Sequence, residues 1–255
     1  MKSFFNNRVL LLVTGASRGL GLEIVMQLSA KIANGSVVVL AARDKEKLDI
    51  NCANLKKTFP EIMFESFVSD NATATYADYE KLLNEKLKCA PEAVVVIHNA
   101  GSLGNTNVQL SEQNNLDELA SYFAANVHHP MVLSSAVITL AKAPIYLVNI
   151  SSLCGIKPFP NIGLYCTGKA ARKMYFDCLA ADNPEIRILQ YSPGPLETDM
   201  MTELRNCKIG SVSSMAKNLR EKGILLNTRQ TVEKLCDIID KNAFESGAHI
   251  DYYDR

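Results

Sequence analysis

The chain has 255 residues, of which 47% are hydrophobic and 21% are charged, so it is long enough to form a well-buried globular core. Lysine plus arginine equals aspartate plus glutamate, 27 each, and this zero net charge gives no basic excess for nucleic-acid binding. The seven cysteines form no Cys-x-x-Cys pair, and no apolar run approaches the ~20 residues of a membrane helix. We therefore expect a soluble, cytoplasmic protein with reduced thiols.

Short apolar runs alternate with helical patterns along the whole chain. The runs predict strands at 9–13, 37–40, 62–68, 93–97, 145–150, 186–191 and 248–253. Between them, helical spacing predicts helices at about 22–32, 45–58, 76–87, 116–140, 165–181 and 232–239. This alternation predicts one α/β domain over 1–255, a Rossmann-type doubly wound parallel sheet of about seven strands with helices on both faces. Segment 196–227 is weakly patterned, and we predict an insertion that serves as a substrate loop.

A glycine-rich turn follows the first strand and opens the first helix. Its spacing is Gly15-x-x-x-Gly19-x-Gly21, which alone would also suit a tight turn that merely needs glycine. Its position, after the first strand and at the start of the first helix, favours a phosphate site. A helix N-terminus there offers free N–H groups to an anion. The predicted phosphate-binding residues are Gly15, Ser17, Arg18, Gly19, Leu20 and Gly21.

The end of the second strand predicts the cofactor. NAD-binding folds usually place a carboxylate there to hold the ribose 2′-hydroxyl, but this chain has Ala41-Ala42-Arg43. Arg18 and Arg43 are two guanidinium groups that suit a 2′-phosphate, so we predict NADP(H). Asp70, after the third strand, could bind the adenine amino group, and Asn99 begins a small-residue turn after the fourth.

Three polar side chains that could act together follow the fifth strand. Ser152 comes directly after its apolar run, and Tyr165 and Lys169 are spaced to share one face of a helix. A hydroxyl, a phenol and an ammonium group can therefore converge at a strand end, where α/β proteins place their chemistry. The phenol is a possible proton donor.

Several of these motifs, in their order, resemble the short-chain dehydrogenase/reductase family over nearly the whole chain. They are Thr14-Gly-Ala-Ser-Arg-Gly-Leu-Gly21, Asn99-Ala-Gly101, Asn126, Ser152, Tyr165-x-x-x-Lys169 and Pro193-Gly194. The resemblance implies an NADPH-dependent carbonyl reductase in which Tyr165 donates a proton and Ser152 holds the carbonyl oxygen. It implies that Lys169 binds the nicotinamide ribose and lowers the pKa of Tyr165, and that Asn126 completes a proton relay. It also implies cofactor contacts at Leu196 and Thr198 and a homodimer.

A narrower resemblance, to family members that reduce a pterin side chain, rests on the ending Ser246-Gly-Ala-His-Ile-Asp-Tyr-Tyr-Asp254 and on the segments around 99–104, 149–154, 165–172 and 193–200. It implies that Asp251 accepts hydrogen bonds from the guanidine-like edge of a pterin. Gly194 would let the ring approach the backbone, and Leu103 and Met200 would supply apolar walls. Those members often carry tryptophan where this chain has Ile162, and asparagine where it has His98.

Two alternatives stay open at this point. One is a carbonyl reductase for diketones or quinones, for which Asp251 would be incidental. The other is a non-catalytic NADP-binding regulator, which would have no need to keep Ser152, Tyr165 and Lys169. The four histidines show no ligand spacing with cysteine or acid, so we predict no metal site.

Overall fold

A computed structural model describes residues 3–254 and shows one seven-stranded sheet in which every paired strand is parallel. Its strand order is β3-β2-β1-β4-β5-β6-β7. The strands are β1 (Val9–Thr14), β2 (Val37–Ala42), β3 (Met63–Val68), β4 (Ala93–His98), β5 (Ile145–Ile150), β6 (Arg187–Ser192) and β7 (His249–Asp251). The order reverses direction between β1 and β4, and this is where a doubly wound sheet opens a ligand crevice. The predicted fold class is confirmed.

Nine α-helices lie within residues 3–254. They are α1 (Gly19–Ser29), α2 (Lys45–Thr58), α3 (Tyr76–Lys86), α4 (Leu116–Phe123), α5 (His129–Leu140), α6 (Gly163–Asp182), α7 (Asp199–Asn206), α8 (Gly210–Glu221) and α9 (Thr228–Lys241). Within those residues, no helix combines the length and the apolar character needed to cross a membrane.

The core has two layers because alternate strand residues face opposite sides of the sheet. On one side, Leu11 and Val13 of β1 join a cluster with residues of α1 and α9. On the other, Leu10 and Leu12 join a cluster with residues of α3, α5 and α6. Strands buried on both faces explain the nearly continuous apolar runs in the sequence.

The helix predicted over 116–140 differs from the observed one. A π-helical turn, Ala124–His128, joins α4 to α5 and contains Asn126. Such turns insert one extra residue into a helix and occur often at functional sites. The apolar periodicity continues on both sides of the turn, so the sequence pattern alone predicts a single helix.

Segment 196–227 leaves the sheet and returns at one point. Leu196 and Leu226 form an isolated parallel bridge, and the backbone N–H of Glu197 donates to the carbonyl of Leu226 at 3.0 Å. Between these ends lie α7 and α8. Glu197 accepts two hydrogen bonds from Arg205 of α7, at 2.6 and 3.0 Å, and forms an ion pair with Arg220 of α8 at 3.8 Å. We call residues 196–227 the excursion, because this segment leaves the carboxyl edge of the sheet and returns to it at the Leu196–Leu226 bridge.

Candidate active site

The carboxyl ends of the strands bring most of the predicted residues to one edge of the sheet. The glycine turn follows β1, the Asn99 turn follows β4, Ser152 follows β5, Gly194 follows β6, and Asp251 ends β7. Because all strands are parallel, these ends share one edge, and α6 adds Tyr165 and Lys169 from beyond β5. The structure therefore assembles cofactor, catalytic and substrate candidates along one edge of the sheet.

The glycine turn requires glycine for two different reasons. Gly15 and Gly19 have φ angles of +68° and +56°, in the left-handed region that favours glycine. Gly21 has ordinary backbone, but a Cβ there would collide with the carbonyl oxygen of Gly15 and lie 2.6 Å from Nδ2 of Asn99. Within residues 3–254, no side chain caps the start of α1, so its N–H groups are open to an anion. The turn therefore fits a cofactor diphosphate.

Hydrogen bonds join the glycine turn to the turn after β4. The Thr14 hydroxyl accepts from the backbone N–H groups of Asn99 and Ala100, both at 3.1 Å. Nδ2 of Asn99 donates to the carbonyls of Thr14 at 2.9 Å and Gly15 at 3.2 Å. The two turns thus form one rigid unit, and Asn99 acts through these bonds on the glycine turn. The carbonyl of Ser17 is held from the other side by Asn51.

Arg18 and Arg43 are exposed at the ends of the glycine turn and β2. Arg18 forms an ion pair with Asp199 at the start of α7, and both side chains are about two-thirds exposed, at 67% and 69%. Asp44 also lies at this edge, but its carboxylate caps α2 by accepting from the N–H of Lys47. Hydrogen bonds from Lys47 hold the pKa of Asp44 below its usual value. The carboxylate that could bind a ribose hydroxyl is therefore already engaged.

Other predicted cofactor residues lie around this edge. Asp70 is exposed in a turn after β3, where Oδ1 accepts from the N–H of Ala72. Leu20 lies in the first turn of α1 and packs against the core. Leu196 is buried in the bridge at the base of the excursion, and Thr198 immediately precedes α7.

Of the two serines after β5, only Ser152 faces the tyrosine. Its hydroxyl accepts from the N–H of Cys154 at 3.1 Å and hydrogen-bonds the Tyr165 phenol. Ser151 is buried, and within residues 3–254 its hydroxyl has no hydrogen-bond partner. The extended backbone turns successive side chains to opposite sides, which explains the difference.

Tyr165 and Lys169 lie one turn apart, with the Lys169 ammonium 5.6 Å from the centre of the tyrosine ring. Lys169 is buried and donates to the carbonyl of Ile150 at 2.7 Å. Tyr165 keeps partial surface exposure, yet the surrounding protein raises its pKa, and the hydrogen bond with Ser152 opposes this only in part.

The net shift of the Tyr165 pKa is therefore upward, and the expected lowering contribution from Lys169 stays a prediction. Burial first, and then the positive charge of Arg172, lower the pKa of Lys169 well below its usual value. A less readily charged lysine stabilises the phenolate less. The phenol is instead held in its protonated form, which is the form that can donate a proton.

Asn126 is almost fully buried beside the turn after β4. Its Oδ1 accepts from the N–H of Ser102 at 2.8 Å, and its Nδ2 donates to the carbonyl of Tyr122 at 2.9 Å. These bonds hold Gly101 and Ser102 against the π-helical turn. A relay role for Asn126 stays a prediction.

Arg172, which is not among the predicted site residues, is fully enclosed three residues after Lys169. Its guanidinium donates to Oδ1 of Asn149 at 2.6 Å, to the carbonyl of Ala100 at 2.8 Å and to the carbonyl of His98. Burial lowers its pKa to about 10. The available signal was spacing, because Tyr165, Lys169 and Arg172 recur at helical positions on one face.

The substrate side of the crevice is apolar near the tyrosine and polar at β7. Leu103 and Ile162 belong to one buried cluster, and Tyr165 and Met200 pack against it. Gly194 has a φ angle of +75°, and a Cβ there would lie 3.5 Å from the ring of Tyr253. Asp251 pairs with Ser192 of β6 in the sheet register, and its Oδ1 accepts from the N–H of Tyr253. Asp251 therefore belongs to the sheet edge rather than to a solvated tail.

Residues 10–208 match the family model described as short chain dehydrogenase. The sepiapterin reductase of Bos taurus is 34% identical over 97% of this chain and 96% of its own length, and that of Meriones unguiculatus is 35% identical over 95% of each.

More distant proteins are also similar to this chain. A benzil reductase ((S)-benzoin forming) of Bacillus cereus is 23% identical over 92% of this chain and 96% of its own. The crystal structure of the KRED1-Pglu enzyme superposes with a TM-score of 0.80 at 24% identity, covering 95% of this chain and all of the other.

Proposed function

The chain belongs to the short-chain dehydrogenase family of oxidoreductases, and from that premise we propose that it is an NADPH-dependent reductase of the side-chain carbonyl of a pterin. The substrate would be of the sepiapterin or 6-pyruvoyl-tetrahydropterin type, which belongs to tetrahydrobiopterin biosynthesis. One observation carries the proposal: Asp251 ends the strand beside Ser192 and Gly194, at the same edge as Ser152 and Tyr165.

Membership of the family implies a nicotinamide cofactor, and the exposed cations favour NADP(H). The glycine turn and the open start of α1 would hold the diphosphate. Arg18 and Arg43 would bind the 2′-phosphate, and each guanidinium can bind it through two parallel hydrogen bonds. When bound, NADPH supplies the hydride that reduces the carbonyl carbon.

The side chains of this protein supply the proton and the orientation. Ser152 would donate a hydrogen bond to the substrate carbonyl oxygen, where negative charge develops during reduction. Tyr165, kept protonated by its raised pKa, would donate the proton to that oxygen. Lys169 would stabilise the phenolate that remains and would hydrogen-bond the cofactor ribose. Asn126 would complete a proton relay that runs through water to Lys169.

The pterin would be oriented by its two ends. Asp251 would accept hydrogen bonds from the exocyclic amine and the ring N–H, which form a bidentate donor pair. Leu103 and Met200 would contact the ring faces, since both adjoin the apolar cluster around Tyr165. Gly194 would leave room for the ring beside the backbone.

A second candidate function is reduction of a diketone. Ile162 lies in the apolar cluster where related pterin reductases often have tryptophan, so the pocket loses one aromatic wall. The Bacillus cereus benzil reductase, whose name denotes a diketone substrate, is similar over most of this chain. A diketone held by apolar contacts alone would not need Asp251.

The discriminating experiment compares two substrates under one set of conditions. NADPH oxidation is followed with sepiapterin and with benzil, and the specificity constant kcat/KM is determined for each. We expect sepiapterin to be the better substrate. Turnover of benzil alone would favour the diketone reductase, and turnover of neither would favour a regulator that binds NADP without catalysis.

A further inference from the structure

Arg172 is a buried cation in a cage of neutral oxygen atoms. Its side chain is 2% exposed, and its three hydrogen bonds go to Asn149, Ala100 and His98. Within residues 3–254, no carboxylate forms an ion pair with it. Burying a charge without an opposite charge nearby costs folding free energy. The burial of Arg172 therefore needs either another group that compensates its charge or a function that explains its presence.

A chain of side-chain amides runs from this cage to the surface. Nδ2 of Asn149 donates to Oε1 of Gln190 at 3.1 Å, and Nε2 of Gln190 donates to Oδ1 of Asp177 at 2.6 Å. Asn149 and Gln190 are both buried, whereas the Asp177 side chain is 31% exposed and pairs with Lys173. Each amide turns its oxygen towards Arg172 and its nitrogen towards Asp177. The dipoles are therefore aligned to connect the buried cation with an anion.

The cage also touches the reactive part of the crevice. Arg172 holds the carbonyls of His98 and Ala100, and so fixes the start of the turn that continues through Gly101. A Cβ on Gly101 would lie 4.0 Å from the Lys169 ammonium, and one on Gly15 would lie 3.0 Å from Cα of Ala100. The turn from His98 to Gly101 thus lies between the glycine turn and Lys169. A shift of this turn would change the position of the glycine turn relative to Lys169.

We propose that Arg172 is a positioning residue of the reductase, and that Asn149, Gln190 and Asp177 form a relay that balances its charge. The guanidinium holds the Ala100 turn at the distance from Lys169 and the glycine turn that hydride and proton transfer need. This inference rests on the proposed roles of Tyr165 and Lys169.

Arg172 also acts on its neighbours through its charge. It lowers the pKa of both Lys169 and Tyr165. The other titratable groups that face this cluster come from several elements: His98 from β4, Tyr122 from α4, His129 from α5, Cys154 from the turn after β5, and Cys166 and Asp177 from α6 itself. Burial lowers the pKa of His98 and His129, so both are neutral near pH 7. Arg172 is thus the main cation that acts on the Tyr165–Lys169 pair.

The test separates charge from geometry with two substitutions at one position. Arg172→Lys keeps the charge but cannot span three carbonyl oxygens, so we expect the KM for NADPH to rise several-fold with an unchanged pH profile. Arg172→Gln removes the charge, so the pKa of Lys169 rises, and the alkaline limb of kcat/KM, which reports the loss of charge from Lys169, should move up by about one pH unit. A structural role alone would lower thermal stability and leave that limb in place.

A surface substitution keeps the proposal testable if Arg172→Gln fails to fold. Asp177→Asn removes the anionic end of the relay, which should lower the pKa of Lys169 and shift the alkaline limb to lower pH. Asp182→Asn, an exposed acid at the end of the same helix, is the matched control and should change nothing. Opposite shifts in Arg172→Gln and Asp177→Asn, or the Asp177→Asn shift alone where Arg172→Gln does not fold, support the relay.

The result that overturns the proposal is an unshifted pH profile in Asp177→Asn together with wild-type kinetics in every folded Arg172 variant. Tyr165→Phe is measured beside these proteins. If Tyr165→Phe keeps full activity, the proposed function fails. If it is inactive while the folded Arg172 and Asp177 variants match the wild type, only the positioning role fails.

Discussion

Two pairs of cations flank the glycine turn, and they differ in almost every physical respect. Lys169 and Arg172 are 8% and 2% exposed and donate to protein oxygens, which fixes their positions. Arg18 and Arg43 are exposed at the other end of the crevice, and Arg18 is paired with Asp199 of the excursion. The buried pair is held rigidly near Tyr165, whereas the exposed side chains of the outer pair are free to rearrange.

The difference shows how one kind of charge serves two purposes. Burial lowers the pKa of both inner cations, so their contribution depends on pH and on their distance from Tyr165. The outer cations would act through charge-assisted hydrogen bonds to the cofactor phosphate, so their contribution should depend on ionic strength. Loss of charge on the inner side should therefore change the pH dependence of catalysis, and loss of charge on the outer side should change the KM for the cofactor.

The largest effect is expected at the inner side, for Tyr165→Phe. Loss of the proton donor should reduce kcat about 10²- to 10⁴-fold, with NADPH binding preserved because the phenyl ring keeps its packing. Steady-state kinetics and quenching of NADPH fluorescence check the two halves of this prediction. The control is Tyr175→Phe, which removes a hydroxyl from the same helix where it donates to the carbonyl of Met131. Retained turnover in Tyr165→Phe contradicts the assigned proton donor.

An intermediate effect is expected at the outer side. Arg18→Ala and Arg43→Ala should each raise the KM for NADPH about 10- to 100-fold, because each removes a charge-assisted contact to the 2′-phosphate. The KM for NADH and the kcat should change little. The exposed Lys56→Ala on α2 controls for the loss of one positive charge. Equal changes in the KM of both cofactors would show that the two arginines do not discriminate the phosphate.

The smallest effect is expected for Asp199→Asn. The ion pair with Arg18 is solvent-exposed, and such pairs contribute little, so releasing Arg18 should lower the KM for NADPH by at most about fivefold. The double variant Arg18→Ala/Asp199→Asn should show no gain over Arg18→Ala. A gain in the double variant would mean that Asp199 repels the cofactor directly rather than competing for Arg18.

The sequence predicts the parts of this molecule that depend on local pattern. Apolar runs predict the strands, and strand-end positions predict that Ser152 and Asp251 share an edge. The π-helical turn at Asn126 was not predicted, because the apolar pattern continues across it. The enclosure of Arg172 was not predicted either, since it depends on carbonyls of β4 and an amide of β5 that are distant in the chain. The direction of the Tyr165 pKa shift likewise depends on burial, which spacing does not reveal.

The central claim is that Asp251 clamps a pterin at the end of β7, and one comparison tests it most directly. Values of kcat/KM for sepiapterin and benzil are determined for Asp251→Ala and for Asp254→Asn, which keeps the acceptor that bonds the N–H of Asp251. Loss of a charge-assisted bidentate contact should lower the sepiapterin value about 10- to 100-fold and leave benzil turnover unchanged. Asp254→Asn should match the wild type on both substrates. Equal losses on sepiapterin and benzil in Asp251→Ala, or no loss on sepiapterin, would contradict the claim.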